Sequence, residues 1–260
     1  MTHKDLEDLV SEDWTWRKRE ISTLILLAEK MDEEEVVLKS IILLLYAHWE
    51  GYIKKCSKIY LKFIADSGAK FNDLTENFKA VALKGVTKVC LESKDSLTLQ
   101  NELTYIKKFS KIESHTLNYY VELDIDNEKD AGIIDTQQNL SPAVFKNILE
   151  IIGLNYKSHY ELKEKYIDLY LLSNRNSIGH GNKFKATEVG PFTLEIQTIK
   201  ELRDVIFSII ENFRDELIEY SREKYFLKIN QENLSKFLAF KEEQLGNIFK
   251  EIETKYSMHE

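Results

Sequence analysis

Apolar side chains recur along most of this chain at steps of three and four residues, the period of helices buried on one face. Trp14, Arg17, Ile21, Leu24 and Leu27 or Ala28 mark a helix over 14–28. The acidic run Asp32–Glu35 suits the start of a second helix, where carboxylates meet the positive end of the dipole. That helix continues to about Ala65 through Val36, Val37, Ile41, Leu44, Leu45, His48, Trp49, Tyr52, Ile53, Ile59, Tyr60 and Phe63, and Ser67-Gly68 ends it. A helix apolar on most sides belongs at the centre of a bundle. Shorter helices are predicted over 71–91, and 92–112 keeps a helical bias through Leu103, Ile106, Phe109 and Ile112. Residues 117–125 are β-prone, with a hairpin across 126–129 to Ile134 as the expectation. Ser141-Pro142 reads as a capped helix start and Gly153 as its end. Further helices are predicted over 158–178, 198–226 and 231–255, with a short strand at 192–196. The predicted fold is all-α: an antiparallel helical bundle over 1–228 with an irregular insert near 66–140, then a C-terminal helical extension over 229–260.

Composition agrees. Two prolines and nine glycines in 260 residues permit long helices. At 43% hydrophobic and 31% charged, the chain resembles ordinary soluble proteins with enough apolar surface for a core. The net charge of -8 argues against a general nucleic-acid coat protein, yet leaves room for an enzyme with a local basic cleft. Asp5, Glu7, Asp8, Glu12 and Asp13, the run 32–35, and the lysines at 54, 55, 58 and 62 read as solvated helix faces. Cys56 and Cys90 lack metal-pair spacing, and Cys56 reads as a small core or boundary residue. The first residues carry no apolar signal core, and the run Ile41–Ala47 is too short to span a membrane. The expectation is a reduced, cytoplasmic protein without a membrane partner.

Chemistry concentrates in Arg175-Asn176-Ser177-Ile178-Gly179-His180. Arginine offers a fixed fork of donors to phosphate, and histidine exchanges protons near neutral pH. Six arginines and six histidines make the bare spacing common, roughly 0.4 matches per chain of this composition. Requiring Asn, Asp or His directly after the arginine lowers that to about 0.05. A purely structural alternative has His180 bonding the last carbonyls of its helix and Arg175 in a surface pair. Five residues of regular helix rotate about 140°, so the two groups would not share a face. Either the helix ends before His180, or the groups converge from two chains. Elsewhere, His48-Trp49-Glu50 reads as structural, with Glu50 pairing to Arg17 or Arg19, or as a supporting carboxylate near the cleft. His115 and His159 are isolated. No Gly-rich phosphate loop, Ser/His/Asp set or carboxylate cluster is visible, so neither metal nor cofactor is expected.

Several segments together resemble the HEPN superfamily (higher eukaryote and prokaryote nucleotide-binding domain), in particular the stand-alone HEPN-like nucleases first described from cyanobacterial genomes. They are Trp16–Ile21, Leu43–Tyr52, Asn139–Pro142 with the helix ending at Gly153-Leu154, Leu172–Gly181, and Asn212-Phe213. The likeness spans roughly residues 10–225. Its most specific piece is the Arg-Asn-x-x-x-His-Gly core, and the Tyr-Ala-His-Trp-Glu-Gly box singles out this branch. The resemblance implies a helical bundle that dimerises so that two Arg…His motifs face one cleft. It also implies metal-independent endoribonuclease activity, often in toxin–antitoxin or antiviral defence. On that basis Arg175, His180 and Asn176 are the candidate catalytic residues, with Asn176 orienting Arg175 or the phosphate. Asn174, Lys183 and Lys185 are candidates for substrate binding, and Glu50 and Arg17 for support. The implied partners are RNA, a second copy of the chain and an antitoxin or defence component. Gly179 departs from relatives, which commonly carry alanine there. The rival reading is a non-catalytic dimer acting as an RNA-binding or adaptor module, favoured by the acidic charge and by the apolar spacing of Leu234, Phe237, Leu238, Leu245, Ile248, Phe249 and Ile252.

Overall fold

The computed structural model describes residues 1–31, 34–91, 99–111, 116–117, 125, 132–181 and 193–257. Helix α1 spans His3–Lys30 and starts well ahead of the predicted Trp14, because Leu6 and Val10 extend its buried stripe. Thr2 and Asp5 close a capping box: the Thr2 hydroxyl accepts from the Asp5 N–H at 3.2 Å, and the Asp5 carboxylate accepts from the Thr2 N–H at 2.7 Å.

Helix α2 spans Glu35–Asp66 and runs antiparallel to α1. The Tyr52 hydroxyl donates to the Val10 carbonyl at 3.1 Å, Lys55 meets Asp13 at 2.8 Å, and the Met1 ammonium reaches Asp66 at 3.2 Å. By length and composition α2 would suffice to cross a membrane. Its apolar faces are instead occupied by α1 and by four elements further along the chain.

Helices α3 (Glu76–Leu91) and α4 (Gln100–Phe109) form the described part of the insert. The expected hairpin lies largely outside the described residues. Among the described residues no strand forms, only isolated bridges between Lys70 and Thr116 and between Leu74 and Leu227. The strand expected at 192–196 is corrected where it is described: Thr193–Glu195 is irregular and Ile196 opens a helix.

Helix α5 spans Pro142–Ile152, with the Ser141 hydroxyl accepting from the Val144 N–H at 3.3 Å. Gly153 ends it at φ +75, where a Cβ would stand 2.7 Å from Asn77 Nδ2, so the position needs glycine. The helix predicted over 158–178 is a continuous rod of three parts: α6 (Ser158–Tyr166), a π-helix (Ile167–Leu172) and α7 (Ser173–Gly179).

Helix α8 spans Ile196–Arg222 and is antiparallel to α1, since Ser221 meets His3 at 2.8 Å and Glu211 accepts from Trp14 Nε1 at 3.2 Å. It stops short of Phe226, with Lys224 at φ +53. A 3-10 turn, Lys228–Asn233, leads into α9, Leu234–Ser257. Helix α9 lies antiparallel on α8, with Lys241 3.4 Å from Asp215 and Lys255 2.9 Å from Asp204. Its Glu242 accepts from the His159 N–H at 3.1 Å and from the Ser158 hydroxyl, and so caps the start of α6.

Two charged runs depart from the expected solvated faces. Asp13 is buried between Arg17 and Lys55, and Lys58 is buried as well. Cys56 is a core residue, and burial pushes its thiol far above the usual range. Among the described residues the deepest charge pair joins Lys157, just before α6, to Glu216 of α8 at 2% and 1% exposure. Asn212 completes it, donating to the Tyr160 oxygen at 2.7 Å and to Glu216 at 3.3 Å.

Candidate active site at the end of the α6–α7 rod

Arg175 lies on α7, which packs against α2. Its guanidinium carbon stands 4.3 Å from the centre of the Tyr46 ring, a cation–π contact across that interface. One terminal nitrogen donates to the Asn176 side chain at 2.7 Å and the other to the Gln138 carbonyl at 3.3 Å. A guanidinium carries five N–H donors. Among the described residues two of them are engaged, leaving Nε–H and one N–H on each terminal nitrogen.

The segment that supplies the Gln138 carbonyl is held by the tyrosine–tryptophan box of α2. Leu140 donates its N–H to the Tyr46 oxygen at 3.0 Å, and its carbonyl accepts from Trp49 Nε1 at 3.1 Å. Both backbone groups of one residue are thus satisfied by aromatic side chains one helical turn apart. Ahead of it Gln137 and Gln138 both take left-handed conformations, at φ +54 and +58. The Asp135 carboxylate accepts from the Gln137 N–H at 2.8 Å and steadies that turn. Burial, with the Glu50 carboxylate adding to it, raises the Tyr46 phenol to about 12, against the opposing Leu140 N–H. The phenol stays neutral, able to accept from Leu140 and donate toward Glu50.

His180 follows α7 as its C-cap and is exposed. Its N–H bonds the Asn176 carbonyl at 3.0 Å, and Gly181 turns the chain away at φ +70. The helix ends at the histidine, as one of the two expected geometries has it. A Cβ at Gly179 would meet nothing within 4 Å, so alanine would fit there. The π-helix adds a residue to the turn just ahead of α7, which carries the motif. Ser173 bonds the Asp168 carbonyl, five residues back, through its hydroxyl at 2.9 Å and also through its N–H.

The structure brings Arg175 and Asn176 together and places His180 at the C-cap of the same short helix, tied to Asn176 through backbone atoms alone. The expectations for Asn174 and Arg17, and the pairing of Glu50 with Arg17 or Arg19, need correction. Asn174 is fully buried, its amide donating to the Tyr170 carbonyl at 2.7 Å, so it steadies the rod from inside rather than facing substrate. Arg17 turns into the α1–α2 seam, bound to Asp13 at 2.6 Å and His48 at 3.3 Å, rather than to Glu50. Glu50 faces Tyr46 instead. Lys183, Lys185 and His115 lie outside the described residues. His159 pairs with Glu242 at 2.5 Å, which ties α9 to α6. Among the described residues no three His, Cys, Asp or Glu side chains gather as a metal site. Helix α9 packs on α6 and α8, and His180 remains open to solvent. Gln138 and Leu140 were not singled out as site residues: their role is through backbone atoms, which side-chain patterns do not reveal.

The fold is an all-α bundle that presents an arginine and a histidine from the end of one helix. The chain belongs to the HEPN_MAE_28990-like HEPN family, which it matches over residues 6–226. That match ends before the turn into α9. No curated protein and no solved structure matches the chain. The family points to a nuclease or RNA-related role.

Proposed function

We propose that this protein is a metal-independent endoribonuclease that works as a homodimer in the cytoplasm, in a toxin or antiviral defence setting. The observation that carries the reading is Arg175: a guanidinium fixed on one face and two edges, with three donors unengaged among the described residues, five residues from an exposed histidine. Such a group binds a phosphodiester with little loss of side-chain freedom.

In this mechanism the substrate's own 2′-hydroxyl attacks the adjacent phosphorus. One His180 takes the hydroxyl proton, and the partner subunit's His180 gives a proton to the departing 5′-oxygen. Arg175 neutralises the charge that builds on the phosphoryl oxygens, and Asn176 orients it. The products are a 2′,3′-cyclic phosphate and a 5′-hydroxyl. DNA, lacking the nucleophile, survives. Lys183 and Lys185 hold flanking phosphates.

The non-catalytic adaptor reading draws on the net charge of -8 and on α9 beyond the matched region. The openness of His180 favours the enzyme. The test is incubation with single-stranded RNA in excess EDTA beside His180→Ala and Arg175→Ala. Cleavage by the wild type alone, ending in cyclic phosphate, is the expected result. A requirement for divalent metal, or cleavage that survives His180→Ala, overturns the mechanism.

A further inference from the structure

The contact between Arg175 and Tyr46 suggests more than packing. A cation–π contact restrains the tilt of the guanidinium plane, and bonds at its two terminal nitrogens restrain rotation within that plane. Here all three restraints trace to Tyr46 or to a neighbour of Arg175. The ring supplies the face. Its hydroxyl fixes Leu140, and with it the Gln138 carbonyl that receives one terminal nitrogen. Asn176 receives the other. Tyr46 is itself buried at 3% exposure and tied into the core helix α2, so it cannot follow a wandering arginine.

We infer that Tyr46 is the positioning residue of the site: its ring is the platform that sets the plane of the Arg175 guanidinium, and its hydroxyl sets the turn at 137–140. This rests on the endoribonuclease reading and deepens it. Tyr46 touches no substrate; it acts through Arg175. The neutral phenol suits this role, because a phenolate under the cation would bind it as an ion pair and blunt its charge toward phosphate.

The two parts of the role separate by substitution. Tyr46→Phe keeps the ring and loses the hydroxyl; Tyr46→Leu loses both. Two readouts are taken on the full chain. One is kcat and KM for RNA cleavage across pH. The other is the proton–nitrogen resonance of Arg175 Nε–H, identified by its loss in Arg175→Ala, which the ring current of Tyr46 displaces. Tyr46→Leu is expected to lower kcat about 10-fold, leaving KM and the pH profile set by His180 in place. Tyr46→Phe is expected to stay within about 3-fold of wild type and to keep the displaced resonance, which Tyr46→Leu abolishes.

Wild-type kcat in Tyr46→Leu overturns the inference, as does an equal loss in both variants with the resonance unchanged. If Tyr46→Leu is unfolded by circular dichroism, Tyr46→Phe carries the test: a displaced resonance with near wild-type kcat supports the platform, and a lost resonance overturns it. If the wild type cuts no RNA, the nuclease reading fails separately. The resonance still decides the platform, and no change in Tyr46→Leu removes it.

Discussion

Lys157→Met leaves the Glu216 carboxylate buried without its partner. Glu216 is 1% exposed on the core face of α8, and its other neighbours include the Asn212 amide, the more distant Lys241 and the like charge of Glu242. Breaking a buried pair from one side costs about 3–5 kcal/mol, because the surviving charge keeps its desolvation penalty and loses its compensation. At about 2–4 °C per kcal/mol in a chain of this size, the midpoint should fall by about 10 °C at pH 8. The pH dependence carries a sign. Burial already raises the Glu216 carboxyl above its usual range, against the pull of Lys157. A carboxyl raised on folding holds its proton more tightly in the folded state, so its contribution to stability is present at low pH and lost as pH rises through the folded value. Removing Lys157 raises it further. The loss should therefore be large at pH 8 and clearly smaller at pH 5. Thermal unfolding followed by circular dichroism at both pH values reads this directly. Lys157→Met with Glu216→Leu should recover most of the loss, since a well-packed apolar pair replaces a buried ion pair at little cost. A loss under about 1 kcal/mol at pH 8, or one no smaller at pH 5, refutes the argument. The pair matters to function because Lys157 precedes α6, the root of the rod whose far end carries Arg175.

The α1–α2 seam should respond to acid. Burial, and then the adjacent Arg17 cation, lower the His48 imidazole below its usual value, and Glu20 only partly opposes them. Glu20 lies 3.1 Å from Nε2 but outside hydrogen-bond alignment, so that nitrogen has no hydrogen-bond partner among the described residues. A histidine depressed on folding binds fewer protons folded than unfolded, so stability should fall as pH drops below about 6.5. His48→Gln should flatten that fall in unfolding curves between pH 7 and 5; an unchanged slope rejects the assignment. Gly246→Ala should loosen α9, because its Cβ would come 2.4 Å from His159 Nε2 and push that ring off Glu242. Increased amide hydrogen exchange along 234–257, with α1 and α2 unaffected, is the expected signature, and uniform protection contradicts it.

Most helices were legible in the sequence because an amphipathic period of three and four residues has few alternative meanings in a chain poor in proline and glycine. Gly153 and Ser141-Pro142 were legible for the same local reason: a left-handed residue and a capped first turn are demands of the backbone itself. The early start of α1 was missed because its first turns are crowded with Asp5, Glu7 and Asp8, and only two apolar positions, Leu6 and Val10, carry the stripe. The π-helix was missed because its sequence, Ile-Asp-Leu-Tyr-Leu-Leu, satisfies an ordinary helical period. The widened turn lies where the rod packs against α2. Glu50 was expected to pair with Arg17 or Arg19, but the seam gives Arg17 to Asp13 and His48, because only packing decides which carboxylate a long side chain meets.

The sequence by itself determined that this chain is all-α and which short segment holds its candidate chemistry, since periodicity, caps and the spacing of Arg175 to His180 are local. Tertiary structure alone decided how that segment is held. The ring under Arg175 belongs to Tyr46, 129 positions earlier in the chain. The carbonyl at its edge belongs to Gln138, fixed in turn by Tyr46 and Trp49 through Leu140. Such contacts form only when α2, the turn at 137–140 and α7 pack together, and a backbone group or an aromatic face carries no mark in the sequence of the partner it will meet.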